Sequence, residues 1–132
     1  MSHNITMEGV RITDLDLLGK VAAELSKGTV TLVRDAKTFR TYHGQSNTCD
    51  HKLQYQHGSH DVGLVSDNKG GYTLKFDPYK MDPVFKVGDH MLGGMVQEYT
   101  LRTAEIAAWQ QGLTTQREAG KNGAQILRVI AA

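Results

Sequence analysis

Residues 61–77 read Asp61-Val62-Gly63-Leu64-Val65-Ser66-Asp67-Asn68-Lys69-Gly70-Gly71-Tyr72-Thr73-Leu74-Lys75-Phe76-Asp77, and this stretch decides the fold. Val62 and Leu64 run into a cluster of turn formers from Asp67 to Gly71, after which Tyr72, Leu74 and Phe76 alternate with Thr73, Lys75 and Asp77. Alternation with period two marks a strand with one buried and one wet face, and Asp, Asn and Gly supply the angles of a tight reversal. The stretch predicts a β-hairpin.

Toward the amino terminus, residues 4–12 hold Ile5 and Met7 on one alternation and Val10 and Ile12 on the other. Gly9 stands at the change of phase, as in a strand with a bulge. Thr13 reads as a helix N-cap with Asp16 three residues on. Leu17, Leu18, Val21, Ala22 and Leu25 then recur at helical spacing up to Gly28, which predicts a helix over 14–26. Val30 and Leu32 mark a second strand, and Phe39 to His43 a short extended piece.

Toward the carboxyl terminus, Pro78 and Pro83 flank an irregular connection, and Asp89 offers a cap for a long second helix ending at Gly112. Gly93 and Gly94 weaken its first turns by about 1 kcal/mol each relative to Ala, which moves the expected start toward Met95. Its buried stripe is expected to be Leu92, Met95, Val96, Tyr99, Ile106, Trp109 and Leu113. Thr114 to Glu118 and Ala124 to Ile130 flank Gly120-Lys121-Asn122-Gly123 as a second hairpin.

These elements predict an α+β fold, an antiparallel or mixed sheet with two helices on one face, and more specifically a ferredoxin-like core with additional hairpins. At 132 residues and 39% hydrophobic, the chain is expected to form a single domain over 1–132. Fifteen Lys and Arg against fourteen Asp and Glu leave no global field to gather phosphate backbones, which argues against general nucleic-acid packaging. One cysteine forms no internal disulfide, and no apolar run has the length to cross a bilayer. A cytoplasmic location without a membrane partner is expected.

Four of the six histidines and the only cysteine fall between 43 and 60, in Gly-, Ser-, Asn- and Gln-rich sequence. The 44–60 segment reads as a long polar loop, and loops of that length are often functional. A structural zinc takes four ligands, usually in two tight pairs. His57-x2-His60 and Cys49-x-His51 offer such pairs, with His43 or Asp50 to complete the set. The spacing is looser than a zinc signature, so no cofactor is predicted, and a transition metal such as zinc is the alternative. Cys49 as a nucleophile would need a base, for which His51 and His57 stand near in sequence, but no oxyanion-hole signature accompanies it. Among the central carboxylates Asp61 is best placed for acid or base work, between His60 and an apolar strand, while Asp67 reads as a turn former.

Arg34, Lys37, Arg40 and Lys52 interleave with Phe39, Tyr42 and Tyr55. Cations and aromatics along a sheet stack single-stranded bases elsewhere, so a single-stranded nucleic-acid binder is a second alternative. No glycine sits in a phosphate-cradling motif. Tyr99 and Trp109, at the margin of the second helix, offer a partner surface.

Several short motifs come in a characteristic order: Met1-Ser2-His3, a strand leading to Thr13-Asp14 and a helix, Tyr42-His43-Gly44-Gln45, His60-Asp61-Val62-Gly63-Leu64, Gly71-Tyr72-x-Leu74, and Gln97-Glu98-Tyr99. In that order the chain resembles the domain-of-unknown-function family 1257, plastid open-reading-frame-like proteins also carried by cyanobacteria, other bacteria and phages. Members carry a tryptophan-bearing segment after the Tyr-x-Leu strand and an Arg-Tyr pair in the second helix. Here Asp77-Pro78-Tyr79 and Glu98-Tyr99 stand in those places. The resemblance implies a shape and a distribution, and no activity comes with it.

The expectation for function is a small, non-enzymatic interaction or regulatory protein that contacts a protein partner through 42–61 and the adjacent sheet face. Arg40, Tyr42, Gln45, His57, His60, Asp61 and Tyr99 are the candidate binding residues. Edge strands of a small open sheet also offer a route to a homodimer.

Overall fold

Asp14, rather than Thr13, caps the first helix. Its extended backbone lets its carboxylate accept the amide of Leu17 at 3.0 Å, and α1 runs Leu15–Leu25. These positions belong to a computed structural model that describes residues 5–6, 10–41, 46–77, 82–85, 92–121 and 125–131. The strands are β1 (Ile5–Thr6), β2 (Val30–Val33), β3 (Thr38–Arg40), β4 (Ser46–Thr48), β5 (His51–Tyr55), β6 (Asp61–Ser66), β7 (Tyr72–Phe76), β8 (Thr114–Ala119) and β9 (Gln125–Ile130). The second helix, α2, is Gly93–Gln110. Gly9, proposed as a bulge, and Pro78, Asp89 and Asn122-Gly123 lie outside the described residues.

The architecture is mixed α+β with two helices and antiparallel sheets. The chain divides into two compact units, Met1–Val96 and Gln97–Ala132. In the first, five antiparallel strands lie in the order β1-β7-β6-β5-β2, while β3 and β4 form a separate hairpin. A ferredoxin-like core would separate β1 from β2 by one strand, whereas here three intervene. The reason is β5. Residues 44–60 were expected to be a loop, yet His51–Tyr55 pairs with β2 on one side and β6 on the other. Its polar side chains hide the signal, because Lys52 and Gln54 on its second face meet other polar groups.

That arrangement follows from the alternation of β6. Val62 and Leu64 pair with Leu53 and with His51 and Leu74, making one apolar face. Toward this face α1 brings Leu17, Leu18, Val21 and Ala22, all buried, and Gly19 comes close to Leu32 of β2. Asp61 and Gly63 point to the other face, where β3 lies. A Cβ on Gly63 would stand 2.6 Å from the Phe39 ring, so the ring rests directly on backbone. Because both faces are covered, Asp61, Val62, Gly63 and Leu64 are all buried, which explains why this strand lacks a wet side at its start. The hairpin expected over 61–77 is present, closed at its turn by Asp67, which accepts amides from Lys69 and Gly71.

In α2 the helix begins at Gly93 and not nearer Met95, since Leu92 closes the turn before it by donating to the Phe85 carbonyl. Leu92, Met95 and Tyr99 are buried as expected, but Ile106 and Trp109 are exposed, so the apolar stripe ends after Tyr99. Gly112, at φ +77°, ends the helix, and the Leu113 amide returns to the Ala108 carbonyl.

The second unit comprises α2 from Gln97 onward with the β8–β9 hairpin, six residue pairs long. Thr115, Arg117 and Ala119 share one face with Val129, Leu127 and Gln125. Thr114, Gln116 and Glu118 share the other with Ile130, Arg128 and Ile126. The first face meets the helix. Arg117 bonds Glu98 at 2.8 Å and Glu105 at 2.6 Å, Arg102 bonds Glu98 at 2.6 Å, and the Trp109 indole donates to Thr115 at 2.9 Å.

Candidate functional site

The buried carboxylate of Asp61 organises the first of two loci. Its Oδ2 accepts the Arg40 amide at 2.8 Å, the Arg40 guanidinium grips both oxygens at 2.9 to 3.2 Å, and Lys52 Nζ stands 3.4 Å away. The pairing is dictated by register, since β3 lays Arg40 over the β6 face that Asp61 shares with Gly63, and β5 adds Lys52 opposite Gly63. Asp61 is 0% exposed and the Arg40 side chain 39%, so the cation carries the charge to the surface. Hydrogen bonding to Asp61 holds the Arg40 guanidinium above its ordinary value. With two cations on one anion, Asp61 is a structural anchor here, and the acid or base role considered for it has no open approach.

Among the described residues the His and Cys side chains do not converge. His51 is buried. Its Nδ1 accepts the Asp35 amide at 3.0 Å and its Nε2 lies 3.2 Å from the Tyr72 hydroxyl, which puts the ring proton on Nε2 and leaves neither nitrogen for a metal. His60 is buried, with Nδ1 3.3 Å from the Ser59 hydroxyl and 3.8 Å from Asp82. His57 is exposed and stacks edge-on against Tyr55. Cys49 is buried, and burial pushes its thiol up, away from the reactive thiolate. Among the described residues no three His, Cys, Asp or Glu side chains gather as ligands. Tyr42, His43 and Gln45 lie outside the described residues.

Three cations of the basic patch are matched by anions, while Lys37 is exposed. Arg34 pairs with Asp16, and Arg40 and Lys52 pair with Asp61. Phe39 is buried beneath β3 and presents no stacking platform. Tyr99 is buried at 3% exposure, which removes it from the candidate binding residues, whereas Trp109 is open.

The second locus lies in the second unit and was only half visible in the sequence. Trp109 is 54% exposed, Val129 51%, Ile126 50%, Ile130 42% and Ile106 37%. Ile126 and Ile130 occupy the outward face of β9, while Val129 opposes Thr115, the partner of Trp109. β9 therefore keeps exposed apolar side chains on both faces, Val129 on the helix side and Ile126 and Ile130 on the other. The second unit thus leaves five large apolar side chains open on β9 and the last turns of α2. The available signal was composition. Gln-Ile-Leu-Arg-Val-Ile has four apolar residues and no clean alternation, more than a two-stranded hairpin on one helix can cover.

Glu98 sits between Arg117 and Arg102, and hydrogen bonding to Arg117 first, then Arg102, holds its carboxyl below the ordinary carboxylate range. A carboxyl whose value is depressed on folding adds stability above its unfolded value and loses it as pH falls through the folded one. No histidine lies in 97–132. The urea midpoint of this unit, followed through the fluorescence of Trp109, the chain's single tryptophan, is expected to hold level from about pH 8 to 6 and fall from about pH 4.5 downward. Glu98→Gln should lower the neutral plateau and flatten the acid limb. An acid limb unchanged in that variant would remove Glu98 as its source.

Compared with known proteins, the chain matches no family model, no curated sequence and no solved structure. Among the described residues no helix is long and apolar enough to cross a membrane.

Proposed function

We propose that the protein acts by binding another protein chain, without chemistry of its own, and that the contact surface is the β9 side of the second unit. One observation carries this reading: five large apolar side chains, three on one strand and two on the helix turn before it, are 37% to 54% exposed. The largest apolar patch of a single chain is often functional, and tryptophan is among the residues that most often dominate protein contacts. The burial of Cys49 and the committed hydrogen bonds of His51 and Asp61 favour binding over catalysis.

The surface moves away from 42–61 because that segment supplies β4 and the inner strand β5; of its candidates among the described residues His57 alone is exposed, with Arg40 part-exposed just before it. Neither alternative gains support from geometry, since zinc would need ring nitrogens that His51 has committed and Asp16 and Asp61 match three of the four cations that single-stranded nucleic acid would need. Membership of family 1257 belongs to this proposal, as does a cytoplasmic location. The order of the short motifs supports the first, with Asp61 to Leu64 and Tyr72 to Leu74 on paired strands.

The test places a photoreactive benzoylphenylalanine at 109, at 129 and, as a control, at Asn68 in the exposed turn of the first unit. Irradiation in expressing cells is expected to give protein adducts from 109 and 129 and none from 68. An absence of adducts from both surface positions would end the reading.

A further inference from the structure

We infer that the chain covering this surface is a second copy of the same protein, joined edge to edge and antiparallel along β9. The inference rests on the contact-surface reading above and names its partner.

Strand geometry comes first. The β8–β9 sheet has two strands, and no other strand of the described residues pairs with the outer edge of β9. A two-stranded hairpin is marginal in water, and an unpaired edge exposes a row of amide and carbonyl groups that templates another strand. Proteins that keep such an edge single protect it with proline, lysine, a bulge or an inward charge. Gln125–Ile130 has no proline and no lysine, and its six pairs with β8 run without a break.

Symmetry and charge then select the partner. Two antiparallel copies of one strand are related by a twofold axis, so a surface that satisfies one copy satisfies both. The one charge on β9, Arg128, is held by Glu118 through two bonds of 3.0 Å on the same face, so the strand presents no net charge to its copy. A strongly acidic or basic partner would find nothing complementary there. Neutrality suits a like surface. Joining the hairpins makes a four-stranded sheet and sets Ile126, Val129 and Ile130 beside the side chains of the other copy across the new strand pair.

The experiment is sedimentation equilibrium of the full chain, with Ile126→Lys and Val129→Lys as edge variants and Leu25→Lys as a control at an exposed apolar position of the first unit. The wild type and Leu25→Lys are expected to be dimers at about 100 µM, with little change between low and high salt. Each edge variant is expected to weaken association by about 30-fold or more while keeping the wild-type urea transition, since both positions are half exposed. Irradiating the purified chain with benzoylphenylalanine at 129 should give adducts of twice the chain mass. A wild type that stays monomeric at about 1 mM, or edge variants that remain dimers, overturns the second copy. Cellular adducts from 109 and 129 that all carry other proteins also overturn it while leaving the contact surface standing, and no adducts in either setting removes both.

Discussion

Replacing Asp61 by Asn is expected to destabilise the first unit by about 3 kcal/mol, the low end for breaking a buried ion pair. The same change should lower its Tm by about 12 to 24 °C. The low end applies because the Arg40 side chain reaches solvent and is relieved there of part of its unpaired charge. Asparagine keeps one carbonyl for the Arg40 amide but turns an NH2 donor toward Arg40 and Lys52, so two cations then face a group with no charge. Urea unfolding followed by circular dichroism measures the effect. Within about 0.5 kcal/mol of wild type, the triad would be an ornament of the surface and not an anchor of β3 on the sheet. Arg40→Met supplies the second arm, because pairing it with Asp61→Asn should cost less than the sum of the two.

Phe39→Ala is expected to cost about 3 to 5 kcal/mol, the largest effect of any apolar truncation foreseen for this chain. Phe39 is 1% exposed and rests on Gly63, where no side chain fills in when the ring is removed. The cavity lies beneath the hairpin that carries Arg40, so the ion triad loosens with it. Gly63→Ala attacks the same contact from the other side and is expected to cost about 1 to 3 kcal/mol, because a Cβ 2.6 Å from the ring forces it outward. Combining Gly63→Ala with Phe39→Leu, a smaller and more flexible side chain, should cost less than the two separate losses added. Strict additivity in urea unfolding would mean that ring and strand do not share this space.

The parts of the fold legible in sequence are those whose pattern is local. The 61–77 hairpin announces itself by alternation around an Asp-Asn-Lys-Gly-Gly turn. α1 is legible from Leu17, Leu18, Val21 and Ala22, and β8–β9 from Gly120 to Gly123 between two extended runs. β5 was not legible, because His51, Lys52 and Gln54 are polar residues whose partners lie on distant elements: Asp35 and Tyr72 for the histidine, Asp61 for the lysine. A strand whose polar groups are satisfied by tertiary contacts looks like a loop in isolation. Trp109 failed the other way, since helical spacing placed it in the stripe while the hairpin beside it leaves it half open.

The candidate site divides along the same line. Local sequence marked Asp61 as a carboxylate at the head of an apolar strand, but that Arg40 and Lys52 would neutralise it depends on β3 crossing the sheet and on the β5–β6 register. The clustering of His43, Cys49, His51, His57 and His60 along the chain suggested a shared centre. Strand alternation sends neighbours to opposite faces, and a turn can carry the next one to the surface, so for the described members, Cys49, His51, His57 and His60, closeness in sequence gave no shared centre.

By itself, then, the order of residues determined the periodic elements, the near balance of charge and the scarcity of cysteine. Tertiary structure alone decided which polar side chains became internal anchors and which apolar ones were left facing water. The physical reason is that burial belongs to a surface built from several segments at once. A period of two or 3.6 says which residues share a face, and only the arrangement of neighbouring elements says whether that face is covered.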